Sequence, residues 1–504
     1  MSASASVLAR CQTGISGLDH ILGGGFPAAG PYLVQGHPGV GKTTLAMQFL
    51  LAGSRMGESC LYITLSETRE ELFTIARSHG WPLDGIGILE LSSFAHQLTA
   101  GAENTLFDPA DVELQDVTKI IFAEIERINP RRVVFDSMSE LRLLSQIPLL
   151  YRRQVLSIKQ FLATRGCTAL LLDDLTFADG RDDRQLESIC NGSIHLYGEE
   201  LPYGAERRQI SVKKIRGCTF LGGRHDYQIE TGGIKVFPRI VPREHSRDFA
   251  REPIQCGIES IDTLLGGGLD RGTSNLVMGP SGTGKSCLAL SYAYSAAARG
   301  EHVAMFTFDE NLDLCLAKAA SFGMDLQPFI RDHIVDARQL DATEITPGQF
   351  AHLVLNSVEQ QNTRMLIIDS LNGYSKAMQS DKILELQLHE MLSLLDQLGV
   401  VTIMVLAQAG FLNEIRSPVD LTYLADTVIL LRHFEAAGAI HQAISVAKKR
   451  SGAHERTIRE FKVTEKGLWV GEPLLEFRGI LTGVPFLDLE SGARKNRETQ
   501  GSEN

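Results

Sequence analysis

A chain of 504 residues is too long for one ordinary hydrophobic core, and at roughly 150 residues per domain it holds two or three. With 43% hydrophobic and 22% charged residues and no apolar run near the ~20 residues that span a bilayer, its composition is that of a soluble globular protein and leaves no membrane segment. A net charge of −12 counts against DNA or RNA as the main partner, because nucleic-acid binders draw most of their non-specific affinity from a basic surface.

The start, Met1-Ser2-Ala3-Ser4-Ala5-Ser6, lacks the basic segment and long apolar core of a signal peptide, and the eight cysteines include no Cys-x-x-Cys pair. A reducing, cytoplasmic location is expected, with no zinc or redox motif. The apolar run Tyr32-Leu33-Val34 leads into Gly36-His37-Pro38-Gly39-Val40-Gly41-Lys42-Thr43, in which two glycines bracket four residues and Lys and a hydroxyl residue follow. Glycines at these places let successive backbone N–H groups face a phosphate chain. Lys42 is then expected at the terminal phosphates of ATP, the hydroxyl of Thr43 at Mg²⁺, and Thr44 at the nucleotide as the helix begins.

Further expected strands are Leu61-Tyr62-Ile63, Arg132-Val133-Val134-Phe135 and Ala169-Leu170-Leu171-Leu172. Asp136, at the end of the second of these, is the candidate acid for the Mg²⁺ water shell, and Glu67, just beyond the first, the candidate catalytic base. A strand-end acid capping a helix is the plainer alternative for each. Lys213-Lys214-Ile215-Arg216 closes this part of the chain. A polar stretch with two prolines, Pro238 to Asp248, then reads as a linker.

The pattern then returns. Gly279-Pro280-Ser281-Gly282-Thr283-Gly284-Lys285-Ser286, with Cys287 following, is a second phosphate loop 243 residues (279 − 36) after the first. Gly14-Ile15 matches Gly257-Ile258, Gly23-Gly24-Gly25 matches Gly266-Gly267-Gly268, and Glu67 matches Glu310 at the same offset. Asp369 pairs with Asp136 at an offset of 233 (369 − 136), and Lys448-Lys449-Arg450 repeats the basic cluster. Strands are expected at Val303–Phe306, Met365–Ile368 and Val401–Val405. By analogy Ser286 and Asp369 are candidate metal contacts, Asp309 and Glu310 candidate catalytic acids, and the two basic clusters candidate phosphate contacts. Apolar strands alternating with helical patterns indicate an α/β fold, two tandem domains of RecA-like phosphate-loop type, each a mostly parallel sheet flanked by helices. The expected boundaries are 1–240 and 255–475 for the domains, 241–254 for the linker and 476–504 for a tail, disordered from about Ser491.

Thr13-Gly14-Ile15 and Cys256-Gly257-Ile258, Leu18-Asp19 and Ile261-Asp262, the triple glycines and the paired phosphate loops resemble the KaiC family of tandem RecA-type clock kinases and ATPases, over roughly residues 10–485. Asp426-Thr427-Val428-Ile429-Leu430-Leu431, Lys448-Lys449-Arg450 and Ile458-Arg459-Glu460-Phe461 also look like that family. The resemblance implies a ring-shaped homohexamer with ATP between subunits, contacted across the interface by Lys214 and Arg216 in one ring and Lys448 and Arg450 in the other. It implies ATP hydrolysis in the first domain, Ser/Thr autokinase activity in the second, and partners among KaiB-like or other signalling proteins. Two departures stand out. The family's pair of catalytic acids is Asp309-Glu310 in the second domain but Ser66-Glu67 in the first, and its Ser-Thr acceptor pair is Thr422-Tyr423. Thr422 reads either as a phospho-acceptor or as an ordinary loop threonine. The stretch Ile480-Leu481-Thr482-Gly483-Val484-Pro485 looks like the family's peptide ahead of its partner-binding tail. Two other classes fit phosphate loops: a RecA/DnaB-like DNA-dependent ATPase, for which no aromatic–basic cluster is found, and a nucleotide-dependent scaffold with weak chemistry.

Overall fold

The computed structural model describes residues 9–91, 109–145, 147–175, 183–201, 204–242, 247–376, 381–408, 421–436, 438–465, 467–480 and 486–487. They fall into two compact units that divide between Arg239 and Ile240.

In the first unit the strands of the main sheet are β1 (Gly30–Gly36), β2 (Cys60–Thr64), β3 (Ile86–Glu90), β4 (Arg132–Asp136), β5 (Thr168–Asp174), β6 (Gly192–Glu199), β7 (Arg207–Ile215), β8 (His225–Glu230) and β9 (Gly233–Phe237). In the second they are β10 (Ser274–Gly279), β11 (Val303–Thr307), β12 (Val335–Gln339), β13 (Met365–Asp369), β14 (Val401–Ala407), β15 (Thr427–Ala436), β16 (Ala439–Lys449), β17 (Arg459–Thr464) and β18 (Gly467–Pro473). The spatial orders are β9-β8-β7-β6-β1-β5-β4-β2-β3 and β18-β17-β16-β15-β10-β14-β13-β11-β12, one plan written twice. From β6 to β3, and from β15 to β12, all neighbours run parallel; the last three strands of each sheet pair antiparallel. The parallel strands therefore point their C-terminal ends to one rim, where ligands of open α/β sheets bind.

Burial on both faces explains why these strands are uninterrupted apolar runs. Side chains alternate across a strand, so Tyr32 and Val34 pack with Met47, Leu50, Leu72 and Ala76 from the helices Lys42–Arg55 and Arg69–Ser78. Leu33, between them, faces Val117, Ile121, Val155 and Ile158 of the helices Pro109–Ile128 and Pro148–Thr164. The second unit repeats this with Val277 on one face and Leu276 and Met278 on the other.

The stretch read as a linker is packed where it can be described. Ile240 joins Leu355 and Leu394, the Arg247 guanidinium donates to Asn362 Oδ1 at 2.9 Å, and a Cβ on Gly399 would lie 2.6 Å from the Phe249 ring. Its polar composition hid two anchors, Ile240 and Phe249. Beyond residue 475, Ile480 is buried beside Phe434, and Phe477–Arg478 pairs with Phe486–Leu487. Leu481–Pro485 and 488–504 lie outside the described residues.

Candidate functional site

Each phosphate loop leaves the C-terminal end of the sheet's central parallel strand, β1 or β10, and turns into a helix, Lys42–Arg55 or Lys285–Ala298. Gly36, Gly39, Val40 and Gly41 form the first turn, and Gly279, Ser281, Gly282, Thr283 and Gly284 the second. The helices have no side-chain cap: their N-cap residues, Gly41 (φ 94°) and Gly284 (φ 92°), sit in the left-handed region, with Ile229 and Phe461 packed where a Cβ would be. The first N–H groups of both helices are thus left for an anion. Thr44 and Cys287, third in each helix, are buried.

Lys42 Nζ donates to Gly36 O (2.9 Å) and His37 O (3.0 Å) and pairs with Asp174 Oδ1 (2.7 Å). Thr43 Oγ1 donates to Asp136 Oδ2 at 3.0 Å, and the Tyr62 hydroxyl donates to the same oxygen. Burial raises the Asp136 carboxyl above the usual carboxylate range, while the bonds from Tyr62 and Thr43 and the Lys42 charge pull the other way. Glu67 follows β2, where Thr64 Oγ1 accepts from the Glu67 N–H (2.9 Å) and donates to its carbonyl (2.7 Å). Its Oε2 is buried and takes no hydrogen bond from a described residue. Burial first, then the charges of Asp136 and Glu71, push its carboxyl up to about 7, the poise of a general base near neutral pH.

In the second unit Lys285 Nζ donates to Pro280 O at 2.7 Å and Thr283 Oγ1 to the same carbonyl at 2.9 Å. Burial raises the Asp369 carboxyl above the usual range, while the Ser286 hydroxyl beside it pulls the other way. Burial lowers the Lys285 ammonium, opposed by the charges of Asp369 and Glu310. Ser370 Oγ donates to Asp309 Oδ2 at 2.7 Å, fixing one of the paired acids. Each metal-candidate aspartate is joined to its following serine by a cis peptide bond. Lysine, hydroxyl, aspartate and strand-end acid therefore converge at the C-terminal rim in both units.

The basic residues do not. Lys214 pairs with Ser193, which pairs with Leu33, three residues before Gly36; Lys448 pairs with Val428, which pairs with Leu276, three residues before Gly279. At ~3.3 Å per residue this sets them about 10 Å back along the sheet from the strand end that carries the loop. There Lys214 Nζ donates to Glu187 O and Arg216 Nη2 to Ser188 O. Lys448 Nζ donates to Thr422 O (2.9 Å) and Ala425 O (2.6 Å), and Arg450 Nη2 to Tyr423 O (2.8 Å). Thr422 thus lies with Lys448 and Arg450 at the rim opposite the loop of its own unit. Ile215 is buried, and the Lys449 side chain, only 3% exposed, turns inward to Leu265 O (2.7 Å) and Gly268 O (2.9 Å) beneath the triple-glycine turn. Alternation along the strand separates it from Lys448.

Sequence reasoning passed over Tyr62, Ser370 and Asp174. Asp174 stood at the end of an apolar strand, the signal that singled out Asp136. Among the described residues no group of three or more His, Cys, Asp or Glu forms a metal cage, and no helix is long and apolar enough to cross a membrane.

Two sheets of this order, each with a phosphate loop on its central parallel strand and an aspartate two strands away, define a tandem RecA-like nucleotide-binding protein. A family model described as KaiC ATPase matches residues 11–240 and again 254–474, and the chain belongs to that family. It is 26% identical over 493 residues to the circadian clock oscillator protein KaiC of Synechococcus elongatus, covering 95% of this chain and 92% of the relative. To the circadian clock protein KaiC2 of a Synechocystis species it is 26% identical over 506 residues, covering 98% and 88%.

Proposed function

We propose that this ATPase works as a ring, hydrolysing ATP in its first unit and, in its second, also passing the γ-phosphoryl group to Thr422 of the neighbouring copy, as part of signalling or timing. The observation that carries this reading is the division of labour across each sheet. The phosphate loop and acids occupy one rim, while Lys448, Arg450 and Thr422 occupy the other, so a site holding all of them needs two chains. In the transfer, Thr422 Oγ attacks the γ-phosphorus, its proton passes to Glu310, and ADP leaves as the bond to the bridging oxygen breaks; Ser370 keeps Asp309 beside this step. In the first unit water takes the place of Thr422, with Glu67 as the base and Lys214 and Arg216 of a neighbour on the phosphates. The relatives' names connect the family with clock control.

Mg²⁺ suits the oxygens present. Thr43 with Asp136, and Ser286 with Asp369, each offer a hydroxyl beside a carboxylate, and the unbonded Glu67 Oε2 could accept from a metal-bound water. When bound, the ion would offset charge on the terminal phosphates.

Incubation with γ-labelled ATP and Mg²⁺, followed by phosphosite mapping, tests the reading. Label is expected on Thr422 and absent in both Glu310→Gln and Thr422→Ala. Mixing those two variants should restore label on the Glu310→Gln chains, because their intact Thr422 meets an intact neighbour. Released phosphate without label would leave a plain ATPase, and label confined to a chain's own unit would exclude the ring.

A further inference from the structure

Among the described residues Lys42 has a partner that Lys285 lacks. An ammonium has three donors, and those of Lys42 go to Gly36 O, His37 O and the Asp174 carboxylate. Among the described residues Lys285 hydrogen-bonds to Pro280 O alone. The difference is built into the sheets. Asp174 ends β5 directly opposite Gly36, the last residue of β1, so strand register alone puts its carboxylate at the mouth of the loop. In the second unit Gly279 is opposite Ala407, which has no polar side chain. The preceding residue, Asp173, points to the other face, is fully buried and accepts from Gln35 Nε2 (3.1 Å), Ser139 Oγ (3.0 Å) and Arg142 Nη2 (3.1 Å), which holds the end of β5 in place. The side chain of Lys42 is 9% exposed and that of Asp174 34%, so the pair is sheltered on the lysine side yet open to a ligand.

We propose that Asp174 is a positioning residue that sets the nucleotide affinity of the first site, competing with the terminal phosphates of a nucleoside triphosphate for the Lys42 ammonium. The inference rests on reading both loops as triphosphate sites. A phosphate oxygen can join Lys42 only by displacing one of its three acceptors, and the carboxylate is the charge-assisted one. Displaced, it stays close to the incoming phosphates and repels them, more strongly for a triphosphate than for a diphosphate. Among the described residues the second site has no such competitor, and it fills at lower nucleotide concentration. Asp174 thus separates the loading thresholds of two sites that share one loop pattern.

The test uses the full chain with Lys285→Ala, so that only the first site reports, and titrates fluorescently labelled ATP and ADP by anisotropy. Adding Asp174→Asn should tighten ATP binding about tenfold, the scale of one charge-assisted hydrogen bond, and tighten ADP less. Asp174→Glu should stay near the parent, a result that loss of packing alone would not produce. Grafting Ala407→Asp into a Lys42→Ala chain should weaken the second site. Unchanged or weaker ATP binding in Asp174→Asn, with the melting transition intact, would overturn the inference. If that variant fails to fold, the graft decides: no loss of affinity there overturns it equally. Binding in neither single-loop parent would instead sink the reading of the loops, and this inference with it.

Discussion

Two positions that carry polar side chains at the first nucleotide site carry apolar ones at the second. Tyr62 and Met305 are equivalent, each two residues before the strand position that pairs with the candidate metal aspartate. Tyr62 donates to Asp136, whereas Met305 has no hydroxyl to offer Asp369. Asp174 faces Lys42, and Ala407 occupies its place beside the second loop. The second site instead gathers its polar chemistry at the strand end, where Asp309 and Glu310 stand against Ser66 and Glu67. The shared parts are those whose positions the backbone dictates: loop, lysine, hydroxyl, strand-end aspartate. The parts that differ lie one residue further out, where a side chain can change without moving the sheet. Duplication of a fold therefore leaves room for two distinct tasks.

The largest effects should come from removing each lysine in turn. Lys285→Ala should abolish label on Thr422 while phosphate release from the first unit continues, and Lys42→Ala should do the reverse. Each substitution removes a charge-assisted contact to the terminal phosphates and should weaken its own site on the order of a hundredfold. The double variant should neither hold nor split ATP. If it still turned over like the parent, the chemistry would lie elsewhere and the comparison between the sites would lose its meaning.

A smaller effect concerns the lone acid of the first site. A carboxylate can take a proton only when ionised, and burial pushes that of Glu67 up to about 7. The ionised fraction rises from roughly a tenth at pH 6 to nine-tenths at pH 8, so hydrolysis measured in a Lys285→Ala background should increase about tenfold between them. Glu67→Gln should remove most of that rate. A flat profile, or activity surviving in Glu67→Gln, would transfer the role of base to another group and weaken the parallel with Glu310.

How much of this could be read from residue order follows from what each feature depends on. The loops, Thr43, Ser286 and the aspartates were legible because phosphate chemistry demands fixed spacing along the chain. The strands were legible because a sheet covered on both faces must be apolar throughout. The Lys42–Asp174 pair was not, because it needs the register between two strands more than a hundred residues apart. Lys448, Lys449 and Arg450 looked like one cluster, but alternation along β16 turns the Lys449 side chain inward and leaves only its neighbours at the rim. Phe249 hid in a polar stretch because a single aromatic ring carries its docking.

The smallest expected effect is on stability, and it again separates the two units. Asp396 lies three residues before Gly399, and Ala163 holds the same place before Gly166 in the first unit. Burial, then the neighbouring Asp426 charge, push the Asp396 carboxyl up to about 7, although Ser274 Oγ donates to it at 3.2 Å. An unfolded aspartate titrates near ~3.9. Below that value both states hold the proton and the group is neutral in its effect. Between about 4 and 7 the folded chain keeps a proton that the unfolded chain has lost, so raising the pH through this window removes stability; above 7 the loss is complete and constant. The second unit should therefore melt higher at pH 5 than at pH 8 by a few degrees, at roughly 2–4 °C per kcal/mol for a domain of this size. Asp396→Asn keeps the hydrogen-bonding shape without the charge and should flatten that dependence. The first unit, with alanine there, should be indifferent to the substitution. An equal pH response in parent and Asp396→Asn would show that Asp396 ionises in the folded chain as it does in the unfolded one.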